Sequence, residues 1–230
     1  MSILIPVAHG SESLETVALV NLLRRAALEV NLSSIEPETT IKATRGISLV
    51  ADSRLQDLPD TGFDAVILPG GEAGARRLAQ SGPLAVILNR QRQTHGWYGG
   101  ICAAPALALS PLGLLDGKQA TCYPTFRDQL LHFVDQPVVI DGHCITSQGP
   151  GTALLFALTW IEKLASASSS SRPFACISTN STSCPTRANS CARSSWTRSA
   201  PPPARLGRRI EILAMPTHSQ AHGTQIYLWH

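Results

Sequence analysis

The sequence has no long hydrophobic run and no closely spaced pair of cysteines. No apolar stretch approaches the ~20 residues that a membrane-spanning helix needs, so we expect no membrane association. Because the six cysteines form no Cys-x-x-Cys pair and the histidines share no ligand spacing, we expect no metal site. The N-terminus lacks a basic leader and a small-residue cleavage site, and it suits a first strand instead. We therefore expect a cytoplasmic protein whose cysteines are thiols.

Acidic residues are nearly absent from the C-terminal part of the chain. Residues 166–230 contain seven arginines, no lysine and a single acid, Glu211, whereas residues 1–165 contain 12 basic and 15 acidic side chains. The C-terminal part therefore has a net charge of +6 and the remainder one of −3, which together give the net charge of +3. The mildly acidic remainder does not indicate nucleic-acid binding, and we expect none.

The same C-terminal part lacks an apolar period and begins with a run of serines and alanines. It cannot bury enough apolar surface to offset the entropy of ordering, so we predict a disordered tail. Its mixture of Ser, Cys, Trp, Pro and Arg also fits a C-terminus translated in a shifted reading frame. We predict one folded domain over residues 1–165 and a low-complexity basic tail over residues 166–230.

Strand and helix signals alternate over the first 165 residues, which favours a mainly parallel sheet with helices on both faces. Apolar runs of strand length occur at residues 3–8, 32–36, 47–51, 63–68 and 97–101. Helical patterns occur at residues 11–26, 74–80, 83–94 and 152–164. Ser11 is the expected N-cap of the first helix. The dipeptide Asp141-Gly142 predicts a hairpin turn between two further short strands.

Cys102 lies at a predicted junction between a strand and a helix, in the sequence GGICAAP over residues 99–105. Ile101 ends the apolar run, and Pro105 suits the first turn of a helix. The amides and the dipole of the helix start would favour the thiolate form of Cys102, which is the nucleophilic form. This pattern resembles the nucleophile elbow of α/β hydrolases, with cysteine in place of serine. The alternative interpretation is a buried structural cysteine.

Two other segments end at the same predicted edge of the sheet, residues 9–15 and residues 68–74. Open α/β sheets place their binding sites at the carboxyl ends of the strands. A carboxyl group in the first turn of the neighbouring helix, such as Glu15, could exchange a proton with the thiolate. The amides of Gly70 and Gly71 could bind an oxyanion. Without such a site, Glu15 would be a solvated first-turn acid, and the two glycines would serve only the turn.

Five motifs lie along the domain in a fixed order. They are GSESLET, ATRG, LPGG, ICAAP and TSQGPGT, which begin at residues 10, 43, 68, 101 and 146. Together they resemble the ThiJ/PfpI superfamily, and most closely its YajL-like branch. The resemblance covers about residues 2–165 and none of the tail. It implies a flavodoxin-like three-layer α/β sandwich, usually a homodimer, with a reactive cysteine at Cys102 and a partner glutamate at Glu15.

The chemistry of the superfamily implies a cofactor-independent protein deglycase or glyoxalase III. In that reaction the Cys102 thiolate attacks the aldehyde carbon of glyoxal, methylglyoxal or an early glycation adduct, and Glu15 carries a proton. The amides of Gly71 and Ala103 would bind the oxyanion beside Gly70, and neither a metal nor an organic cofactor would be needed. The alternative function is an oxidative-stress sensor and redox-regulated chaperone that uses the same cysteine.

The sequence departs from many superfamily members at Tyr123. Those members carry a histidine after the elbow helix, where this chain reads ATCYP over residues 120–124. The missing histidine argues against the peptidase activity of the PfpI branch, whereas YajL-like members also lack it. The resemblance implies arginines near the site entrance, where Arg25 and Arg45 are the candidates together with Tyr123. The two arginines are alternatively surface or subunit-contact residues.

Overall fold

A central sheet between two layers of helices is built by the first three quarters of the chain. The computed structural model describes residues 1–59 and 62–170. In this part the strands are β1 (Ser2–Val7), β2 (Glu29–Ser34), β3 (Thr40–Lys42), β4 (Ser48–Val50), β5 (Ser53–Arg54), β6 (Ala65–Leu68), β7 (Trp97–Ile101), β8 (Val138–Asp141) and β9 (Cys144–Ser147). The α-helices are α1 (Ser13–Arg25), α2 (Glu72–Gln80), α3 (Gly82–Gln93) and α4 (Ala153–Ser170).

Within the described residues, seven strands form the central sheet in the order β5-β2-β1-β6-β7-β9-β8. The pairs are parallel except for the hairpin of β8 and β9. Since β1, β6 and β7 are parallel neighbours, their carboxyl ends meet at one edge of the sheet. The segments after these three strands carry Glu15, Gly70 and Cys102, so the topology brings the predicted site residues to the same edge.

Side chains of the central strands alternate between two hydrophobic cores, one on each face of the sheet. From β1, Leu4 joins one core and Ile3 the other. Helices α2 and α3 complete the first core. Helices α1 and α4 complete the second, where Leu19 and Trp160 are fully buried. This arrangement confirms the predicted three-layer sandwich.

Two local predictions need correction. The strand predicted over residues 47–51 forms as β4, but it lies outside the central sheet, because β4 pairs in antiparallel fashion with β3 in a separate two-stranded sheet. Glu12, rather than Ser11, caps α1, and its carboxylate accepts the N–H of Leu14. The Ser11 hydroxyl is buried and accepts the N–H of Ala8, so it closes the preceding turn instead.

Helix α4 continues beyond its predicted end at residue 164 and reaches Ser170. It therefore takes in residues 166–170 of the segment that the sequence predicts as a tail. Residues 171–230, which carry the rest of the predicted disordered or frame-shifted tail, lie outside the described residues. Among the described helices, none combines the length and the apolar character needed to cross a membrane.

Candidate active site

Cys102 occupies a sharp bend between β7 and a π-helical turn at Pro105–Leu109. Its φ angle of 63° is in the left-handed region, which costs a residue with a side chain roughly 1–2 kcal/mol. Two backbone hydrogen bonds hold this conformation. The N–H of Cys102 donates to the carbonyl of Ser147 at 2.9 Å, and its carbonyl accepts the N–H of Tyr123 at 2.8 Å. The half-buried thiol is thus presented on a restrained elbow, as the sequence predicts.

Glu15 is fully buried in the first turn of α1. Its Oε2 accepts the backbone N–H of Gly70 at 2.8 Å, and its Oε1 is buried without a hydrogen-bond partner among the described residues. Burial raises the pKa of the carboxyl group from 4.5 to about 8, against the opposing hydrogen bond from Gly70; the nearby Glu12 carboxylate adds to the increase. Glu15 therefore carries a proton over most of the neutral pH range, and the solvated alternative is wrong.

The titrations of Cys102 and Glu15 are coupled through a contact between their side chains. Burial raises the pKa of the Cys102 thiol, and the negative charge of an ionised Glu15 raises it further. The amides of Gly71 and Ala103 donate to the sulfur and lower this pKa, which is the predicted direction. Because burial outweighs the amides, the pKa of Cys102 is raised overall, and the expectation that the helix start favours the thiolate is wrong for the resting state. When Glu15 is protonated, it no longer repels a negative charge on the sulfur. The thiolate is therefore favoured only while the pair of Cys102 and Glu15 keeps one proton, on Glu15.

Gly70 lies between the two reactive side chains. A Cβ added at this residue would lie 2.5 Å from Cβ of Cys102 and 2.7 Å from Oε2 of Glu15, which are impossible contacts. The next residue, Gly71, has a φ of 84° and is the N-cap of α2, and its amide reaches the sulfur. These two glycines therefore do more than form a turn. Gly70 allows Cys102 and Glu15 to approach the backbone closely, and Gly71 directs its N–H toward the sulfur.

Tyr123 forms one wall beside Cys102 and is 37% exposed. Its ring packs against Gly149, where an added Cβ would lie 3.2 Å from Cδ2 of the tyrosine and 4.0 Å from Cβ of Cys102. The ring of Phe126 lies 6.4 Å away from that of Tyr123. The structure therefore brings Tyr123 to the elbow, in keeping with the sequence-based placement at the entrance.

The two candidate arginines are separated from the thiol to different degrees. Arg25 lies in the last turn of α1, ten residues after Glu15, which is about 15 Å along the helix. The structure does not bring it to the elbow, because the helix axis carries it away. Arg45 is exposed in a turn beside Thr44, whose hydroxyl donates to Oε2 of Glu12 at 2.8 Å. Its backbone therefore lies near the start of α1, at the rim rather than at the thiol.

Ser147 and Glu12 take part in the site although sequence reasoning assigns them no role in it. Ser147 supplies the carbonyl that fixes the elbow, and Glu12 supplies both a cap and a charge near Glu15. In the sequence, the TSQGPGT motif could have indicated that Ser147 contributes to the site. Cys122 and Cys144 are buried, and burial raises the pKa of each thiol to about 12, which agrees with inert core residues.

The described residues offer no group of three or more His, Cys, Asp or Glu side chains that could hold a metal ion. The donors around Cys102 are backbone amides and one carboxyl group. This set suits acid–base and nucleophilic chemistry on a small electrophile.

In comparisons with known proteins, the chain is similar to members of one family. Residues 1–163 match the DJ-1/PfpI family. The chain is 42% identical over 165 residues to protein DJ-1 homolog B of Arabidopsis thaliana, which covers 70% of this chain and 38% of that protein. It is 35% identical over 168 residues to the glutathione-independent glyoxalase DJR-1.2 of Caenorhabditis elegans, which covers 70% of this chain and 87% of that protein.

A solved structure shows the same fold. Oxidized DJ-1 of Toxoplasma gondii superimposes with a TM-score of 0.70 at 36% identity, over 71% of this chain and 90% of that chain. The chain spans about two fifths of the length of the Arabidopsis relatives that it matches. The sequence motifs, the sandwich and these likenesses agree, and the chain belongs to the DJ-1/PfpI family.

Proposed function

We propose that this protein is a cofactor-independent, cysteine-dependent enzyme of the glyoxalase III or protein deglycase type. Its substrates would be methylglyoxal, glyoxal or early glycation adducts, and its products glycolate or lactate from the free dicarbonyls. The observation that carries the proposal is the half-buried thiol of Cys102 beside the buried, proton-bearing carboxyl of Glu15. A relative from Caenorhabditis elegans is named a glutathione-independent glyoxalase, which supports the same chemistry.

The first step forms a carbon–sulfur bond. When the pair of Cys102 and Glu15 has lost one of its two protons, the remaining proton can reside on Glu15 and leave a thiolate. The thiolate attacks the aldehyde carbon, and the electron pair of the carbonyl moves to its oxygen. Glu15 returns its proton to that oxygen, which gives a neutral hemithioacetal and an ionised Glu15.

The second step is an internal redox exchange. The Glu15 carboxylate removes the hydrogen on C1 of the hemithioacetal as a proton, which gives an enediol, and the proton is returned to C2. C1 is thereby oxidised to a thioester and C2 is reduced to a hydroxyl-bearing carbon, so no external oxidant or reductant is consumed. Water then cleaves the thioester and releases the hydroxy acid and the thiol. A carboxyl pKa of about 8 suits a group that must both hold and release a proton near neutral pH.

The surroundings of the thiol favour small substrates. Glu15, Gly70 and Ala103 pack around Cys102 and are buried, and the Tyr123 ring stands on another side. Two- and three-carbon dicarbonyls can reach a thiol in such a narrow site more readily than adducts attached to a folded protein can. We expect higher kcat/KM for free methylglyoxal than for a glycated protein.

Lactate formation from methylglyoxal by the purified protein is the direct test. Cys102→Ala should abolish it, while Cys144→Ala, which removes a buried cysteine on β9 away from the elbow, should retain it. Glu15→Gln should lower it strongly, because the amide cannot accept or return a proton. Undiminished lactate formation by Cys102→Ala would overturn the proposal.

A second candidate function, an oxidative-stress sensor with chaperone activity, is favoured by the donors around the sulfur. The amides of Gly71 and Ala103 and the acid of Glu15 could stabilise the oxygens of a sulfinate at Cys102. Mild peroxide should then oxidise Cys102 selectively, as read by mass spectrometry of all six cysteines. Oxidation spread evenly over these cysteines would contradict a sensor.

We also propose that the protein forms a homodimer. The cytoplasmic location stays a prediction. Helix α1 and the β3–β4 hairpin expose large apolar side chains, which are Leu14, Val17, Ile47 and Val50. A groove of about 440 Å³ lies between these two elements. Such a surface is typical of a contact with a second copy of the chain.

A further inference from the structure

The loop that follows β9 is fixed by two hydroxyl groups, those of Ser147 and Thr152. The hydroxyl of Ser147 donates to the carbonyl of Pro137 at 2.7 Å, and it also lies 2.7 Å from the hydroxyl of Thr152. Each hydroxyl has a single hydrogen, and the bond between the two side chains can take its hydrogen from either of them. Thr152 is therefore bonded directly to the side chain of Ser147.

The Thr152 hydroxyl also holds Gly149. The backbone N–H of Gly149 donates to Oγ1 of Thr152 at 3.1 Å, and the carbonyl of Gly149 lies 2.9 Å from the same oxygen. One side chain thus connects both ends of a three-residue loop. The hydroxyl of Thr152 accepts the N–H of Gly149, donates to the carbonyl of Gly149, and also bonds to the hydroxyl of Ser147.

Both residues held by Thr152 touch the elbow. The carbonyl of Ser147 accepts the N–H of Cys102, and Gly149 packs between Cβ of Cys102 and the ring of Tyr123. The left-handed conformation of Cys102 persists only while its surroundings restrain it. A displacement at Ser147 or Gly149 would therefore be transmitted to the nucleophile.

We propose that Thr152 is a positioning residue for Cys102, acting through Ser147 and Gly149. It keeps the sulfur at the amides of Gly71 and Ala103, which lower the pKa of the thiol. The expected change in turnover rests on the proposed function. The expected change in thiol reactivity does not, because that reactivity can be measured without any substrate.

Thr152→Val is the decisive variant, since valine keeps the shape of threonine and removes the hydroxyl. We expect kcat for methylglyoxal to fall by roughly tenfold or more with KM changed little, because small displacements of a reacting group are costly. The pH midpoint for iodoacetamide alkylation of Cys102, read by mass spectrometry, should rise as the sulfur loses its amide donors. Thr152→Ser restores the hydroxyl and should restore both readouts.

Thr159→Val is the matched control, because Thr159 lies on α4, the helix that begins directly after Thr152, and among the described residues its hydroxyl bonds only to the carbonyl of Leu155. It should leave kcat and the alkylation midpoint unchanged. If Thr152→Val does not fold, Ser147→Ala removes the same link from the other side, and the same shifts are expected. A folded Thr152→Val with wild-type kcat and alkylation midpoint would overturn the inference, and so would failure of Thr152→Ser to restore them.

The proposed function and this inference can fail separately. If Cys102→Ala retains lactate formation, the proposed function fails, but an upward shift of the alkylation midpoint in Thr152→Val still supports positioning. If Cys102→Ala is inactive and the midpoint of Thr152→Val is unchanged, the enzyme stands and the positioning role fails.

Discussion

The backbone N–H of Gly70 donates to Oε2 of Glu15 at 2.8 Å, and this bond turns the carboxyl group toward the end of β6. The bond stabilises negative charge on the carboxyl, yet burial dominates and the pKa still rises to about 8. The remaining oxygen, Oε1, has no hydrogen-bond partner among the described residues. One oxygen is therefore held in place, while the other is available to carry the proton toward Cys102.

A side chain at position 70 should destroy this arrangement. In Gly70→Ala the new methyl group would collide with both Cys102 and Glu15, so we expect kcat/KM for methylglyoxal to fall by roughly a hundredfold or more. Gly82→Ala is the matched control, because nothing lies within 4 Å of a Cβ at that residue. Steady-state kinetics of the two variants checks the expectation. Activity of Gly70→Ala within about twofold of wild type would contradict the described approach of the backbone.

The pH dependence of the reaction should follow the titration of the coupled pair. Loss of one proton from Cys102 and Glu15 creates the reactive state, so kcat/KM should rise with pH and level off above about 8. In Glu15→Gln this rise should disappear, and kcat should fall by roughly a hundredfold or more. Lactate formation measured across the pH range provides the test. An unchanged pH profile in Glu15→Gln would assign the titration to another group.

Stability should depend on pH through the same carboxyl group. Glu15 holds its proton in the folded state up to about pH 8, whereas the unfolded chain loses it near 4.5. Stability is therefore complete below the unfolded pKa and declines as pH rises through this window, by at most ~1.4 kcal/mol per pH unit.

Urea unfolding of Glu15→Gln and wild type should show this decline. The variant should gain relative stability from about pH 5 to about pH 8, since its neutral amide has no proton to lose. Glu72→Gln, at an exposed position on α2, is the control and should follow the wild-type curve. Parallel curves for wild type and Glu15→Gln would show that the carboxyl is not held neutral.

The position of the site could be predicted from the sequence because its residues follow strand ends. Cys102 directly follows β7, Gly70 comes two residues after β6, and Glu15 lies in the first turn of the helix that follows β1. Each is part of a recognisable motif, and parallel strands bring such ends together. The proton balance could not be predicted in the same way. An acid in a first helical turn is normally solvated, and only the packed structure shows that Glu15 is fully buried.

Other roles could not be predicted because a motif does not show where its residues lie in the folded chain. Arg25 shares a helix with Glu15, yet the length of α1 separates it from the thiol. Thr152 lies in a motif that identifies the family, but its contacts with Ser147 and Gly149 depend on how the loop closes. Hydrogen-bond networks of this kind are set by tertiary geometry, which residue spacing does not encode.

The left-handed backbone conformation of Cys102 should affect the stability of variants at this position. Glycine adopts a φ of 63° without steric cost, so Cys102→Gly should be more stable than Cys102→Ala by about 1 kcal/mol. At Cys144, in strand β9, the order should be reversed because glycine weakens an ordinary strand. Thermal unfolding of the four variants tests the pair of expectations. Equal preference for alanine at both positions would show that the elbow is not strained.

The exposed apolar surface of α1 and the β3–β4 hairpin should mediate self-association. Val17 and Val50 are 51% and 68% exposed and line the same groove. A charge buried there against a second copy would be unpaired, so Val50→Asp should shift sedimentation equilibrium toward the monomer by at least roughly tenfold in Kd. Leu131→Asp is the control, because Leu131 is 86% exposed in a different region and its replacement should leave association intact. A wild-type protein that is monomeric throughout, or a Val50→Asp variant that associates as wild type does, would rule out this face as the interface.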